Sequence, residues 1–334
     1  MHLPKKTIDV HTHILTEEMI RLMRKEAPTL KIELRRLDDG TAVLQMDDVT
    51  QNPFPREAWD LDCRFQDMAR YAVDLQVLSN VPHTFLYEKD ASLASAFAEI
   101  QNDAIASLVR KYPDRFLGLA TLPMQVPELA ARELRRAASS CGLVGIHLGT
   151  NIQGRNLDDP SLEPVWAAAQ ELGSFVLIHP HKTAAGDRLK SYYLKNLIGN
   201  PLDTTIAAAS LIFGGVIERY PGIRFCFSHG GGFVPYQAGR FMHGWSVRPE
   251  PKQILGNGPA ESLGRMYYDT ILHSDEALRF LIGSVGAGRV LLGSDYPFDM
   301  GYLNGVRQLR SLGIPENQQA LILGDTARTL LGIV

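Results

Sequence analysis

Short apolar, β-branched runs recur along almost the whole chain, each followed by a stretch with helical spacing. The runs occupy residues 8–14, 75–81, 116–122, 143–149, 175–180, 224–229, 266–272 and 290–295. Helical windows at 91–112, 160–172, 204–220 and 320–331 lie between or after them. Asp158 and Asp159 supply an N-cap and first-turn charge for the second window, while Pro113 and Pro221-Gly222 stop the first and third. Strand and helix in alternation demand a mainly parallel sheet with helices outside it. Eight such units fit an α/β fold of the closed (β/α)₈ barrel type, which takes about 250 residues or more. The chain has 334 residues, with no internal repeat, low-complexity tract or dividing linker. A single barrel domain over 1–334 is therefore expected.

One segment breaks the rhythm. Residues 31–48 carry two alternating runs around Asp38-Asp39-Gly40, a hairpin signal. The reading is a small β-hairpin inserted after the first strand, with residues 51–56 leading back, so that 31–58 form a hairpin and loop over the barrel mouth.

Composition narrows the function classes. Hydrophobic residues make up 45% and charged residues 21%, which excludes a mainly disordered chain. The net charge of −3 gives neither a nucleic-acid footprint nor a polybasic membrane patch. Cys63, Cys141 and Cys226 are too scattered for a disulfide framework. No run approaches the 18 or so apolar residues of a membrane span, and the first residues lack a signal-like apolar core. A soluble cytoplasmic protein is the expectation.

In a barrel of this type the active site lies at the C-terminal ends of the strands. His11 and His13, at i and i+2 in Asp9-Val10-His11-Thr12-His13, share one face of the first strand. His179 closes the fifth run, His229 the sixth and Asp295 the eighth. Any one of these could be a satisfied core histidine or a loop cap. Five together at one barrel mouth are a metal site: imidazole and carboxylate suit Zn²⁺, with Mn²⁺ or Fe²⁺ also admitted. Residues 230–232, all glycine, allow a sharp turn after His229; no Gly-Lys-Ser/Thr follows, which excludes a phosphate loop.

The stretches Asp9 to His13, Ile178-His179-Pro180, Ser228 to Gly232 and Gly293-Ser294-Asp295-Tyr296-Pro297-Phe298 carry a resemblance to the amidohydrolase superfamily. Within it the chain resembles the amidohydrolase-2 branch, the family of α-amino-β-carboxymuconate-ε-semialdehyde decarboxylase. Strand four, Gly145-Ile146-His147-Leu148-Gly149, has no bridging lysine, which argues for one metal per chain. The resemblance implies that His11, His13, His179 and Asp295 bind that metal, with water completing the shell. It implies His229 as acid/base, with Asp295 also counted among the catalytic groups.

The resemblance further implies cations for a carboxylate substrate. The family's substrate arginine aligns with Asn52, and Arg56 is the nearby candidate to replace it. Arg240, beyond the His229 loop, stands where the family lends an arginine to a neighbouring subunit, which implies a homodimer. Guanidinium suits a carboxylate bidentately. His181, where the family has an aromatic residue, reads as a substrate contact or a polar loop residue, and His147 likewise. His2, His83, His243 and His273 read as surface or structural. The implied reaction is non-oxidative decarboxylation of an unsaturated or aromatic carboxylic acid. Hydrolysis or hydration of a lactone or ring-cleavage product on the same scaffold is the alternative.

Overall fold

The computed structural model describes residues 6–184 and 187–333. His2 lies outside the described residues. β1 (Ile8–Ile14) opens the barrel, and the chain then leaves it for β2 (Ile32–Arg36), β3 (Ala42–Met46) and β4 (Val49–Phe54). It returns as β5 (Leu75–Asn80), β6 (Phe116–Ala120), β7 (Gly145–Gly149), β8 (Phe175–His179), β9 (Arg224–Phe227), β10 (Tyr267–Asp269) and β11 (Val290–Leu291). β1 and β5 to β11 pair in parallel in chain order, with helices between them. The circle closes where the last strand meets the first. The Val10 amide donates to Leu292 O at 2.9 Å, the Asp295 amide to His11 O at 2.9 Å and the His13 amide to Tyr296 O at 2.7 Å. The fold is a (β/α)₈ barrel, as the alternation requires.

Two strand ends differ from the sequence reading. Residues 270–272 and 292–295 were expected to continue their strands, but the Leu292 amide turns to Ile322 O and the Ile271 amide to the Asp269 side chain. The 204–220 window also starts earlier, as Asn200–Phe213, and breaks before Val216–Arg219, where Gly215 takes φ 70°.

The inserted segment is a three-stranded antiparallel sheet, not a hairpin, ordered β2-β3-β4. The expected Asp38-Asp39-Gly40 turn joins β2 to β3. A second tight turn at Asp47, with φ 53°, adds β4. β4 can take in Pro53 because it is an edge, where proline need not donate to a ladder.

Alternate residues divide the barrel into two cores. On β8, Val176 and Ile178 face the surrounding helices, while Phe175 and Leu177 face inward. The inward set, with Ile8, Val10, Leu75, Val77, Leu119, Cys226 and Leu291, fills the barrel floor. Ala327, Leu330 and Leu331 near the end of the chain plug that floor from below. On β1 the register with β5 slips by one between Asp9 and Thr12. This bulge lets Val10 join the floor while His11 and His13 face the mouth. Among the described residues no helix is long and apolar enough to cross a membrane.

Candidate active site

Above the apolar floor the inward positions turn polar. His11 and His13 from β1, His179 ending β8 and Asp295 beyond β11 are all buried, and one ligand atom of each lies within 4.8 Å of the others. Asp295 Oδ1 is the hub: it stands 3.0 Å from His13 Nε2, 3.3 Å from His11 Nε2 and 3.8 Å from His179 Nε2.

Each imidazole is oriented from behind. His11 Nδ1 contacts Asp269 Oδ2 at 2.7 Å, His13 Nδ1 contacts Asn80 O at 3.0 Å, and His179 Nδ1 contacts Pro180 O at 2.9 Å. Carbonyl and carboxylate oxygens only accept, so Nδ1 donates in all three and the three Nε2 atoms converge. Such backing fixes tautomer and ring direction in metal-binding histidines. The His179 Nε2 atom is buried without a hydrogen-bond partner, the orphan that a metal would satisfy. Three imidazoles and a carboxylate form a buried group that fits a divalent metal ion.

The electrostatics agree. Burial works against charge on His11, but Asp295 and Asp269 outweigh it and push it up to about 10. Burial lowers His13 and takes His179 down to about 3. Burial opposes ionisation of Asp295 too, yet His11's charge and the histidine hydrogen bonds hold that carboxyl well below the usual range.

His229 lies two residues beyond β9, at the start of the turn His229–Gly231, its ring 5.2 Å from that of His179 but outside the four whose ligand atoms converge. Its Nε2 lies 3.4 Å from Asp295 Oδ2, the oxygen turned away from the hub. His229 and Asp295 both take left-handed backbone conformations, φ 54° and 57°, strained positions of the kind that gather at functional sites. The glycine turn that follows is required by space: a Cβ on Gly232 would lie 2.2 Å from Pro201 O.

The amidohydrolase family model matches residues 8–333. The chain belongs to the amidohydrolase family. This amidohydrolase is 39% identical over 328 residues to 2-amino-3-carboxymuconate-6-semialdehyde decarboxylase of Dictyostelium discoideum, covering 98% of this chain and 91% of that one. It is 28% identical over 256 residues to γ-resorcylate decarboxylase of Polaromonas sp., covering 71% and 77%. Among solved structures, 5-carboxyvanillate decarboxylase of Novosphingobium aromaticivorans, with manganese and 4-hydroxy-3-methoxy-5-nitrobenzoic acid, aligns with TM-score 0.83 and 25% identity, over 99% of this chain and 97% of that one.

The other residues singled out in the amidohydrolase's sequence are dispersed. Arg56 is half exposed and ion-paired to Asp60 at 2.8 Å, beside a surface hollow it shares with Glu17, Arg36 and Trp59. Asn52 is exposed on β4. Arg240 is exposed on the helix Val234–Val247 and lines an open hollow with Phe233, Tyr236 and Phe241. His181 is half-buried, its ring 5.2 Å from Phe85. His83, read as surface or structural, is half-buried near the mouth, and burial takes it down to about 4. His243 and His273 are exposed. Phe298 packs 5.3 Å from His13.

Three supporting residues escaped the sequence reading. Asp269 ends β10 at the same mouth, whereas the sequence reading carried that run on to 272 and left Asp269 inside it. Its Oδ1 also accepts from the Gly230 amide at 2.8 Å, tying His11 to the His229 turn. Asp9 accepts from the His11 and Ser294 amides at 3.2 and 3.1 Å, and burial pushes it up to about 7. Arg64, fully buried, donates to His13 O and to Gln76 Oε1.

Proposed function

We propose that this amidohydrolase is a metal-dependent, non-oxidative decarboxylase of an unsaturated or aromatic carboxylic acid, housed in one domain over 1–334. His11, His13, His179 and Asp295 hold one divalent ion, with zinc our choice and manganese or iron as alternatives. When bound, such an ion acts as a Lewis acid toward oxygen ligands. The remaining chemistry belongs to the chain.

The observation that carries the reading is the position of His229 opposite Asp295 Oδ2, outside the four-residue group. From there Nε2 delivers a proton to the substrate carbon bearing the carboxylate. The bond from that carbon to the carboxylate then breaks, its electron pair restores conjugation, and CO₂ leaves. The proton replaces CO₂ on carbon, so the reaction needs no oxidant. Asp295 steadies the imidazolium before transfer. The 39% identity to a named decarboxylase over nearly the whole chain supports the same reaction class.

Arg240 and Arg56 are proposed to meet substrate carboxylates, with Arg240 acting across a homodimer interface. Phe233 and Tyr236, 39% and 76% exposed beside Arg240, are the apolar surface that such an interface would bury. The compartment proposed is the cytoplasm. Metal-loaded protein offered a panel of muconic and hydroxybenzoic acids should release CO₂. Ring opening or lactone hydrolysis without CO₂ would replace this reading with a hydrolase. Mixing inactive Arg240→Ala and His229→Ala subunits should restore part of the activity, and no complementation despite subunit exchange would remove the dimer proposal.

A further inference from the structure

His147 is unused by the reading above, yet it stands on the inner face of β7 beside the four-residue group. It is fully buried, its ring 5.1 Å from His13, 5.5 Å from His179 and 4.8 Å from Phe85. It falls outside the residues whose ligand atoms converge.

The hydrogen-bond pattern fixes its tautomer. His147 Nδ1 lies 2.8 Å from Asn80 Oδ1. The Asn80 amide cannot be turned the other way. Its Nδ2 faces Val81 O at 3.3 Å and Thr84 Oγ1 at 2.9 Å, and a carbonyl oxygen only accepts. So Nδ1 donates and Nε2 carries a lone pair. That Nε2 is buried with no hydrogen-bond partner. A buried acceptor left unpaired is costly and calls for a partner. His83 Nδ1 and His181 Nε2 are buried and unpartnered too, and they line one small cavity near the mouth.

We propose that His147 is a specificity-determining residue whose Nε2 accepts a hydrogen bond from an O–H or N–H group of the substrate. An acceptor lone pair repels a carboxylate, so this subsite selects a hydroxyl or amino substituent, not a second carboxyl group. This rests on the proposal that the barrel mouth binds a carboxylate substrate, but not on the fate of that carboxylate.

The test is a binding measurement on metal-loaded protein with 2-hydroxybenzoate and 2-methoxybenzoate, which differ in the donor. Wild type should bind the hydroxy acid about tenfold more tightly, the effect of one buried hydrogen bond. His147→Leu should erase that preference while keeping its metal by elemental analysis. His147→Gln, which retains an acceptor, should restore much of it. The ¹⁵N resonance of His147 Nε2 should shift on adding the hydroxy acid and stay unmoved with the methoxy acid. A preference that survives in His147→Leu, loss of metal in that variant, or failure of wild type to bind either acid overturns the proposal. The expected binding pattern with no CO₂ released from any acid would uphold it and remove only the decarboxylase reading.

Discussion

Asp269→Asn changes one oxygen for an NH₂ group and leaves shape almost untouched. Both carboxylate oxygens are engaged: Oδ2 by His11 Nδ1 at 2.7 Å, Oδ1 by the Gly230 amide at 2.8 Å and the Ile271 amide at 3.2 Å. All three partners are donors. Asparagine has one acceptor oxygen, so its NH₂ must face a donor whichever way it turns. Facing the backbone, it leaves two buried amides unpaired, at about 1–3 kcal/mol each. Facing His11, it drives the proton onto Nε2 and removes the lone pair a metal needs. Loss of a backing partner of this kind lowers metal affinity about 10- to 100-fold, about 1.4–2.7 kcal/mol. Competition of the purified variant against a chromophoric chelator measures the affinity, and thermal unfolding of the metal-free protein measures the fold. The reasoning fails if Asp269→Asn holds metal as tightly as wild type and unfolds at the same temperature.

Metal binding should also be proton-linked. His11, pushed up to about 10, is protonated at neutral pH in the metal-free protein, whereas His179 at about 3 is not. An ion must displace the His11 proton, so apparent affinity should rise by up to about tenfold per pH unit as pH climbs toward 10. Calorimetry in buffers of different ionisation enthalpy should count about one proton released per ion at pH 7; no release contradicts the assignment. His229→Ala should keep most of its metal and lose turnover, measured by elemental analysis and CO₂ release; an emptied site would make His229 a ligand. Gly232→Ala places a Cβ 2.2 Å from Pro201 O at φ 62°, so it should lower stability by about 1–3 kcal/mol in denaturant unfolding. An unchanged midpoint would count against that.

The barrel and its metal group were legible in the sequence for the same reason. Strand ends in this fold converge, so chemistry-bearing residues at the ends of apolar runs converge with them. His11, His13, His179 and Asp295 could therefore be grouped before their distances were known. What the runs could not convey was what backs each ring. Asp269 lay inside the run read as 266–272, which in the structure ends at that residue, and the carbonyls of Asn80 and Pro180 have no signature. The β1 bulge was hidden because His11 and His13 obey strict alternation between themselves, while the slip lies just before them. β4 was missed because Pro53 reads as a strand breaker until the strand is known to be an edge. Arg56 and Arg240 were singled out by the family resemblance and by a carboxylate's need for cations, and the fold carried one to Asp60 and the other to an exposed helix.

The closure of the barrel has a consequence for synthesis. Asp295 reaches His13 across 282 positions of chain, and its amide bonds back to β1 only when the last strand docks. A nascent chain that has exposed three histidines still lacks the carboxylate that gathers them. The high-affinity site therefore comes into being only once Asp295 has been made and Ala327, Leu330 and Leu331 have sealed the barrel floor. Metal capture then reports completed assembly. Chains released before Asp295 should leave the ribosome without the ion, whatever the supply.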